Sequence, residues 1–314
     1  MTRPTVSVLL PVRNGARFLA EALESITAQT LREIEILLID DGSTDASLAI
    51  ANELARRDPR LIVLRQEQLG IVGALNAGIQ AARGEYLARM DADDVAEPSR
   101  FETQVAFLAA NPNCVVIGSD VEIIDEEGQY LGGGAYPRRH ADIERALLLG
   151  SHKCLLHPTV IMRTEAVRAI GGYRADTYPS EDFDLWLRLS EIGEMANIGE
   201  PLLRYRRHRD AVCVRERRRQ ISMVSHLLDA ARRRRGMSPL RWRSRSAGSS
   251  SPAATYHFDC ASVALRAGKR LAALRHAGAS IASEPLWMKP YAALAACALP
   301  TRFLAGIYSW VSAF

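Results

Sequence analysis

Short apolar runs alternate with longer amphipathic stretches along the first 110 residues of the chain. The apolar runs are at 6–10, 34–39, 61–64 and 86–90, and the stretches with helical spacing are at 16–29, 45–57, 72–82 and 100–110. Strands that alternate with helices of about a dozen residues predict βαβ units and a mostly parallel sheet. The alternation becomes less regular after Val115–Ile117, and the three glycines at 132–134 are predicted to form a flexible turn.

Polar clusters follow three of the predicted strands, at Pro11–Gly15, Asp40–Asp45 and Asp91–Asp94. Ligands bind outside the carboxyl ends of the strands in sheets of this kind. Each cluster alone also fits a solvated turn, because Asp, Asn and Gly are common there. Three clusters at one edge of a sheet are harder to explain as turns, so they favour a ligand site.

Two carboxylates stand one residue apart in Asp91-Ala92-Asp93, directly after an apolar run. Carboxylate and phosphate oxygens are the ligands that Mg²⁺ and Mn²⁺ prefer, so this pair fits a metal held against a nucleotide diphosphate. No Gly-x-Gly-x-x-Gly follows the first strand and no Walker Gly-Lys-Ser/Thr occurs. A dinucleotide enzyme and a P-loop enzyme are therefore both disfavoured.

Charge divides the chain into an acidic and a basic part. Residues 1–203 hold 19 Lys/Arg and 31 Asp/Glu, a balance of −12, whereas residues 204–314 hold 21 and 5, a balance of +16. This asymmetry predicts an acidic catalytic body joined to a basic segment that meets phosphates or an anionic membrane. The five cysteines are widely spaced, and the N-terminal residues lead directly into a strand. We therefore expect a cytoplasmic protein without a signal peptide.

The C-terminal part is predicted to be helical. An Arg-rich amphipathic helix is expected at 215–236, a linker at 241–252 and further helix at 255–283. Residues 291–314 carry a single charge, Arg302, and a break at Pro300, so this stretch is expected to lie in a membrane interface rather than to span it. Packing on the catalytic domain or on a second subunit is the alternative. Nucleic-acid binding is disfavoured, because the Arg clusters lack interleaved aromatic residues.

Nine motifs in the expected order resemble the inverting family 2 glycosyltransferases. They are Val6–Gly15 (VSVLLPVRNG), Ile39–Asp45 (IDDGSTD), Leu75–Gly78 (LNAG), Arg83–Tyr86 (RGEY), Met90–Asp94 (MDADD), His157–Thr159 (HPT), Gly171–Tyr173 (GGY), Ser180–Trp186 (SEDFDLW) and Tyr205–His208 (YRRH). The resemblance covers about residues 4–210. It implies the GT-A fold, a Rossmann-like α/β fold with a mixed, mostly parallel sheet flanked by helices. The catalytic domain is then residues 1–210, and residues 211–314 form an α-helical C-terminal extension.

The resemblance also implies a nucleotide-sugar site. The residues that it assigns to this site are Pro11, Arg13, Asp40, Asp41, Asn76 and Asp91. Asp41 is expected to accept the imide N–H of uracil or thymine, as carboxylates accept from other base-edge donors. For Asp40, either the ribose or a helix end is the expected partner.

The metal ligand implied by the resemblance is Asp93, with Asp91 close to the ribose or to a metal-bound water. The expected metal is Mg²⁺ or Mn²⁺. His208 matches a position that completes metal or diphosphate contacts, although a structural or merely exposed histidine is the alternative. Asp94 is expected to cap the segment that follows it.

The general base is predicted to be Asp182, with Glu181 as the alternative. Ser180 would cap a helix whose first turn carries both carboxylates. Acidic residues in a first turn are also favoured by the helix dipole alone, so the assignment depends on the resemblance. His157 and Trp186 are assigned to the acceptor side, with a core role as the alternative for Trp186.

The predicted function is metal-dependent, inverting transfer of a hexosyl or similar group. The donor is expected to be a UDP- or dTDP-sugar, and the acceptor a hydroxyl of a saccharide or of a lipid-linked glycan. Such an enzyme would serve cell-surface polysaccharide or glycolipid synthesis at the inner face of the membrane, with peripheral membrane contact and no nucleic-acid partner. A nucleotidyltransferase acting on a sugar phosphate and a non-catalytic glycan-binding relative are the alternatives, and a homo-oligomer stays open.

Overall fold

A computed structural model describes residues 3–151, 154–211, 216–239 and 251–297. The strands are β1 (Val6–Val12), β2 (Ile34–Asp40), β3 (Leu61–Arg65), β4 (Tyr86–Arg89), β5 (Val95–Ala96), β6 (Cys114–Ile124), β7 (Tyr130–Gly134), β8 (Ile161–Arg163) and β9 (Glu194–Arg206). The helices are α1 (Ala16–Thr27), α2 (Ser47–Arg57), α3 (Gly70–Ala81), α4 (Arg100–Ala110), α5 (His140–Leu148), α6 (Thr164–Ala169), α7 (Glu181–Leu189), α8 (Arg217–Arg234), α9 (Pro252–Arg266), α10 (Arg270–Ser283) and α11 (Lys289–Cys297). Two 3₁₀ turns lie at His157–Thr159 and Ala175–Thr177.

The chain forms two compact units. The first consists of Met1–Val121, Ala135–Tyr205 and Gln220–Arg243, and the second of Glu122–Gly134, Arg206–Arg219 and Ser244–Phe314. Each unit therefore groups segments that are distant in sequence. The single domain boundary at residue 210 stays a prediction.

The strands form one mixed sheet in the order β3-β2-β1-β4-β8-β6-β9-β5, and β7 pairs with β6. Strands β1 to β4 pair in parallel, so that Val6 lies opposite Ile34 on one side and Tyr86 on the other. The pairs of β4 with β8, β8 with β6 and β9 with β5 are antiparallel. Both β1 and β2 are buried along their whole length, as parallel strands covered on both faces should be. The predicted fold class is confirmed.

One face of the sheet packs against α3 and α7. Leu9, Leu37 and Leu87 of the strands belong to the same buried apolar cluster as Leu75 of α3 and Trp186 of α7. Trp186 is completely buried. Because burying so large a side chain stabilises helix position strongly, Trp186 fixes α7 against the sheet and so fixes the two carboxylates at its start.

The predicted basic amphipathic helix is present as α8, and its apolar stripe is core. Val224 and Leu228 are buried in the cluster that contains Trp186. Arg232 of this helix donates to the Leu148 carbonyl at 3.0 Å, and Arg235, just after the helix, donates to the Leu187 carbonyl at 2.9 Å. These are the carbonyl-rich ends of α5 and α7, where cations are favourable. The prediction that this basic run meets phosphates or a membrane stays a prediction.

The prediction of a flexible turn at residues 132–134 is wrong. These glycines form part of β7, and a Cβ at Gly132 would lie only 2.9 Å from the Cβ of Ala267 in α9. Ser180 stands at the predicted N-cap position of α7, although its hydroxyl donates to the Gln220 carbonyl at 3.4 Å rather than accepting from the first turn. Asp94 precedes the short strand β5, and its role as a cap stays a prediction.

The second unit is a helical hairpin of α9 and α10 with α11 and the turn between β6 and β7. Ser251 caps α9 by accepting from the Ala254 amide at 3.2 Å, and Pro252 occupies the first turn. The buried carboxylate of Asp125 in the β6–β7 turn pairs with Arg275 of α10. None of the helices among the described residues is long and apolar enough to cross a bilayer. The apolar stretch with Pro300 and Arg302 lies outside the described residues.

Candidate active site

The loops that follow β1 and β2 are bonded to each other. The Asn14 amide donates to the Ser43 hydroxyl at 3.0 Å, and the Thr44 amide donates to the Asn14 side-chain carbonyl at 2.8 Å. The Gly15 amide donates to the Ser47 hydroxyl at 2.9 Å. Asn14 has a φ of 54°, a left-handed conformation that Asn tolerates better than most residues. Two of the three predicted polar clusters therefore meet at the carboxyl edge of the sheet.

The third cluster lies at the end of β4, beside β1. The Met90 amide donates to the Leu9 carbonyl at 3.2 Å, so the aspartates emerge next to the β1 loop. Asp91, Asp93 and Asp94 each offer one carboxylate oxygen within 4.8 Å of the others. Oxygen donors at this spacing suit Mg²⁺ or Mn²⁺. We call Asp91, Asp93 and Asp94 the aspartate cluster. Asp94, expected from the sequence only as a cap, belongs to it.

The carboxylate of Asp41 binds backbone amides at the start of α3. Its Oδ1 accepts from the Gln66 side-chain amide at 2.7 Å and from the Leu69 amide at 2.8 Å, and its Oδ2 accepts from the Gly70 amide at 2.9 Å. A carboxylate at a helix N-terminus is favoured by the helix dipole. A carboxylate accepts about four hydrogen bonds, so one acceptor site remains. The role of Asp41 in binding the nucleotide base stays a prediction.

Asp40 differs from its neighbour in its bonding. It is completely buried at the end of β2, and its Oδ1 accepts from the Ser43 amide at 3.3 Å. Within the described part of the chain its Oδ2 has no hydrogen-bond partner, and the nearest cation, Arg65, is 3.9 Å away. Pro11 is buried in β1 and Arg13 is exposed after it. The predicted nucleotide-binding roles of these residues are not tested by the geometry and stay predictions.

Asn76 of α3 holds the glycine turn that precedes Tyr173. Its Nδ2 donates to the Tyr173 carbonyl at 2.9 Å, and its Oδ1 accepts from the Tyr173 amide at 3.0 Å. Gly172 has a φ of 67°, and a Cβ there would lie 2.7 Å from the Asn76 Oδ1. The GGY motif therefore needs glycine at 172 for two reasons. The nucleotide-sugar role of Asn76 stays a prediction, whereas its hold on Tyr173 is observed.

Tyr173 in turn binds His157. The Tyr173 hydroxyl lies 2.7 Å from His157 Nε2, and the edge of the His157 ring lies against Trp186 with 5.7 Å between ring centroids. Burial, with the nearby positive charge of Arg89, lowers the pKa of His157 well below its ordinary value. His157 is therefore neutral at pH 7. The fold brings His157 and Trp186 together, and their assignment to the acceptor side stays a prediction.

Glu181 and Asp182 form an acidic pair in the first turn of α7. Burial, together with the charge of Asp182, raises the pKa of Glu181 to about 7. Burial also raises the pKa of Asp182, although its Oδ1 accepts from the Phe183 amide at 2.7 Å. Glu181 is 9% exposed and Asp182 is only partly buried. Carboxylates whose pKa values are raised by burial and by each other are typical of catalytic acid–base sites.

Arg89 lies between the two acidic groups and was not found from the sequence. Its side chain is 5% exposed, and its guanidinium lies 2.5 Å from Asp91. Burial alone would lower its pKa, but the charge of Asp91 raises that pKa above its ordinary value, so Arg89 is cationic. The same positive charge lowers the pKa values of Glu181 and Asp182. A basic residue in an apolar strand just before an acidic motif is the signal that would have revealed it.

His208, predicted to complete the metal contacts, lies in the second unit after β9. Its carbonyl accepts from the Ala211 amide at 3.3 Å in a turn. Its role at the metal stays a prediction.

Comparisons with known proteins identify the family. A family model described as glycosyl transferase family 2 matches residues 7–171. An uncharacterized glycosyltransferase of Haemophilus influenzae is 36% identical over 65% of this chain and 66% of its own length. The putative glycosyltransferase EpsE of Bacillus subtilis is 36% identical, with 66% and 75% covered. The amylovoran biosynthesis glycosyltransferase AmsE of Erwinia amylovora is 34% identical, with 66% and 77% covered. The chain belongs to glycosyl transferase family 2, which confirms the resemblance.

Solved structures agree with this fold at low sequence identity. The mannosyltransferase PcManGT of Pyrobaculum calidifontis, solved with GDP-Man and Mn²⁺, superposes with a TM-score of 0.55 at 20% identity and covers 100% of this chain and 86% of its own. TarS of S. aureus, residues 1–349 with UDP-GlcNAc, superposes with a TM-score of 0.55 at 16% identity, covering 98% and 90%. At these identities the likeness establishes the fold alone.

The glycine turn provides a matched pair of substitutions. Gly171 and Gly172 have φ values of 79° and 67°, but a Cβ would meet nothing within 4 Å at Gly171. We expect Gly171→Ala to lower the free energy of unfolding by about 1–2 kcal/mol, the cost of a left-handed alanine. Gly172→Ala should cost more and lower transferase activity, because it also displaces Asn76 from Tyr173. Urea unfolding and an activity assay check both variants, and equal losses in the two would contradict the role of Asn76.

Proposed function

We propose that the chain is a metal-dependent, inverting glycosyltransferase that moves a hexosyl or similar group from a nucleoside-diphosphate donor to a hydroxyl. The observation that carries this proposal is the pairing of two acidic groups around one buried cation. The aspartate cluster lies on one side of Arg89, in direct contact through Asp91. The acidic pair of α7 lies within range of the same positive charge. One group is suited to a metal diphosphate, and the other to proton transfer.

The donor is a nucleotide sugar, and we propose a UDP- or dTDP-sugar. The loops after β1 and β2 provide Arg13, Asp40 and Asp41 at the edge where ligands bind in such sheets. Two solved structures with a similar fold support a nucleotide sugar as the donor, since PcManGT was solved with GDP-Man and TarS with UDP-GlcNAc. The Oδ2 of Asp40, which has no hydrogen-bond partner among the described residues, and the remaining acceptor site of Asp41 are two polar groups that could bind ribose or base.

The metal, Mg²⁺ or Mn²⁺, would be held by Asp93 with Asp91 or Asp94 and by the donor's phosphates. All three carboxylates are within reach of one ion. When bound, such an ion offsets the negative charge that develops on the departing diphosphate. The ion pair with Arg89 fixes one oxygen of Asp91. Asp93 is the ligand that we expect to matter most, as the family resemblance implies.

The acceptor hydroxyl would lose its proton to Asp182 while its oxygen attacks the anomeric carbon on the face opposite the diphosphate. This single displacement inverts the anomeric configuration. Asp182 is more exposed than Glu181, so it is the better placed of the two for an acceptor from solvent. Glu181, with a pKa of about 7, is largely protonated below neutral pH and is the second candidate. Because the base works when ionised, activity should rise with pH through the pKa of the pair.

Asp182→Asn and Glu181→Gln test the base. We expect Asp182→Asn to lower transfer by about 10²–10⁴-fold, the usual contribution of a general base, while donor binding is retained. Glu181→Gln should retain most of the activity. Release of nucleoside diphosphate measures transfer, and calorimetry measures binding. Full activity in Asp182→Asn with loss in Glu181→Gln would move the role to Glu181, and full activity in both would refute a base in α7.

The same assay separates the other classes of function. A nucleotidyltransferase releases pyrophosphate from a nucleoside triphosphate, whereas a glycosyltransferase releases nucleoside diphosphate. A non-catalytic glycan-binding relative would release neither product. A screen of UDP-, dTDP- and GDP-sugars with both product assays therefore decides among the three.

Asp93→Ala tests the metal site. We expect it to abolish the Mn²⁺-dependent part of donor binding, because it removes one of the three carboxylates of the aspartate cluster that are within reach of one ion. The matched control is Asp176→Ala, an exposed aspartate in a 3₁₀ turn of the same unit. Calorimetric titration of the donor with and without Mn²⁺ measures the effect. Equal metal dependence in Asp93→Ala and the control would contradict the assignment.

We further propose a role in cell-surface polysaccharide synthesis, with a saccharide or lipid-linked acceptor, at the inner face of the membrane. The names of EpsE and AmsE support the pathway class. Exposed apolar side chains in the second unit support membrane contact: Leu271 is 85% exposed, Leu286 92% and Met288 71%. Exposed Lys269 and Arg270 stand beside Leu271 in sequence, and exposed apolar and basic side chains together bind anionic lipid surfaces.

Sedimentation with vesicles tests membrane contact. We expect the full chain to sediment with vesicles that contain phosphatidylglycerol and much less with pure phosphatidylcholine. The double variant Leu286→Asp, Met288→Asp should lose binding, because it places two anions among the apolar side chains. Ile192→Asp is the control, since Ile192 of the first unit is 51% exposed. Binding that survives in the double variant would refute this surface.

A further inference from the structure

Arg89 lies on the sheet face that α3 and α7 cover. Side chains alternate along a strand, so Arg89 shares a face with Leu87, which packs in the cluster of Leu75 and Trp186. A guanidinium buried at such a position is costly unless it is paired and hydrogen-bonded. Its retention beneath α7 therefore calls for a specific explanation.

The guanidinium is only partly satisfied. Its Nη2 binds Asp91 Oδ1 at 2.5 Å, whereas its Nε and Nη1 are buried without a hydrogen-bond partner among the described residues. The backbone is held on both sides, since the Arg89 amide donates to the Val160 carbonyl at 3.0 Å and the Arg89 carbonyl accepts from Arg100 at 2.9 Å. The side chain is thus held in place, and its Nε and Nη1 remain available to donate hydrogen bonds. Unpaired buried donors are rare in native proteins and occur at functional sites.

Charged and titratable groups surround Arg89 from every packed element. Asp91 and Asp94 lie beyond the end of β4, Tyr173 lies in the glycine turn, and the acidic pair starts α7. The positive charge of Arg89 also lowers the pKa of His157 in the 3₁₀ turn. Around the acidic pair itself, Asp91, Tyr173 and Cys154 interact with its carboxylates, and Arg89 is the cation that lowers their pKa values.

Arg100 shows what the ion pair with Asp91 contributes. Arg100 is also completely buried, but burial lowers its pKa to about 9, and Asp94 offsets this only in part. Arg89, at similar burial, has a raised pKa because Asp91 touches it. Both arginines are therefore cationic at pH 7, and Asp91 is the anion that compensates the buried charge of Arg89 at 2.5 Å.

We propose that Arg89 is a positioning residue that couples the aspartate cluster to the acidic pair. Its Nη2 orients the carboxylate of Asp91 toward the metal diphosphate, and its buried positive charge favours the ionised form of the base. The two remaining nitrogens, Nε and Nη1, offer hydrogen bonds to an oxygen of the bound donor. This inference rests on the proposed glycosyl transfer and assigns a role to a residue outside the predicted site.

Arg89→Met and Arg89→Lys separate charge from geometry. Arg89→Met removes the charge, so the pKa of the base should rise and the acid limb of kcat/KM should move to higher pH by about 1 unit or more. Arg89→Lys keeps the charge but lacks the planar guanidinium. The acid limb of its kcat/KM profile should therefore stay at the wild-type pH, while KM for the donor rises. Arg163→Met is the matched control, because Arg163 of β8 donates to the carbonyls of Cys114, Leu108 and Asn111 and pairs with Glu85, away from the aspartate cluster and the acidic pair. It should move neither quantity.

Chemical rescue of turnover by guanidinium ion gives a second measurement that does not depend on the stability of one variant. Arg89→Ala removes the whole guanidinium, and added guanidinium ion should restore part of its turnover, whereas sodium at the same ionic strength should not. Arg163→Ala should show no such rescue. A merely structural role for Arg89 predicts no difference between the two cations.

The outcomes separate this inference from the proposed function. Wild-type release of nucleoside diphosphate is measured first, and its absence with every donor overturns both. If the wild type turns over, an unshifted limb in Arg89→Met together with absent rescue in Arg89→Ala overturns the role of Arg89 alone. A shifted limb in Arg89→Met, an unshifted limb in Arg89→Lys and specific rescue support it.

Discussion

The buried ion pair of Arg89 with Asp91 is the interaction on which the organisation of the site depends. A buried cation is tolerated only when an anion compensates it, and Asp91 does so at 2.5 Å. That contact binds a carboxylate of the aspartate cluster to the face of the sheet beneath α7. It also places a positive charge that lowers the pKa values of Glu181 and Asp182, which burial raises. In the proposed mechanism, metal binding and proton transfer are thereby linked through one side chain.

The acidic pair is held in place by the packing and hydrogen bonds of the residues around it. Trp186 packs in the core and so holds α7 in place. The Asn76 side chain forms hydrogen bonds with the amide and the carbonyl of Tyr173. Tyr173 then fixes His157 beside Trp186. Such rigid support matters because a base must lie within hydrogen-bond reach of the proton that it accepts. Several motif residues thus support the site through packing, whatever they contribute to substrate binding.

Sequence periodicity and turn chemistry were sufficient for the parallel half of the sheet and for the meeting of three polar clusters at its edge. They were insufficient where tertiary contacts decide the role of a polar side chain. Asp41 and Asp40 are adjacent and identical, yet Asp41 binds the amides at the start of α3, whereas the Oδ2 of Asp40 has no hydrogen-bond partner in the part of the chain that the structure describes. Arg232 and Arg235 look like a solvent-facing basic run, yet they bind helix-end carbonyls. Partners distant in sequence make these distinctions.

Arg89 illustrates the same difficulty in the opposite direction. An arginine inside an apolar strand is expected at an edge or a solvated end, because burial of its charge is costly. Here its neighbours on the strand are fully buried, and only the folded arrangement reveals the anions that compensate it. An unpaired guanidinium nitrogen between two acidic groups is better explained by a ligand oxygen than by packing, because an apolar side chain would fill the same space without the desolvation cost.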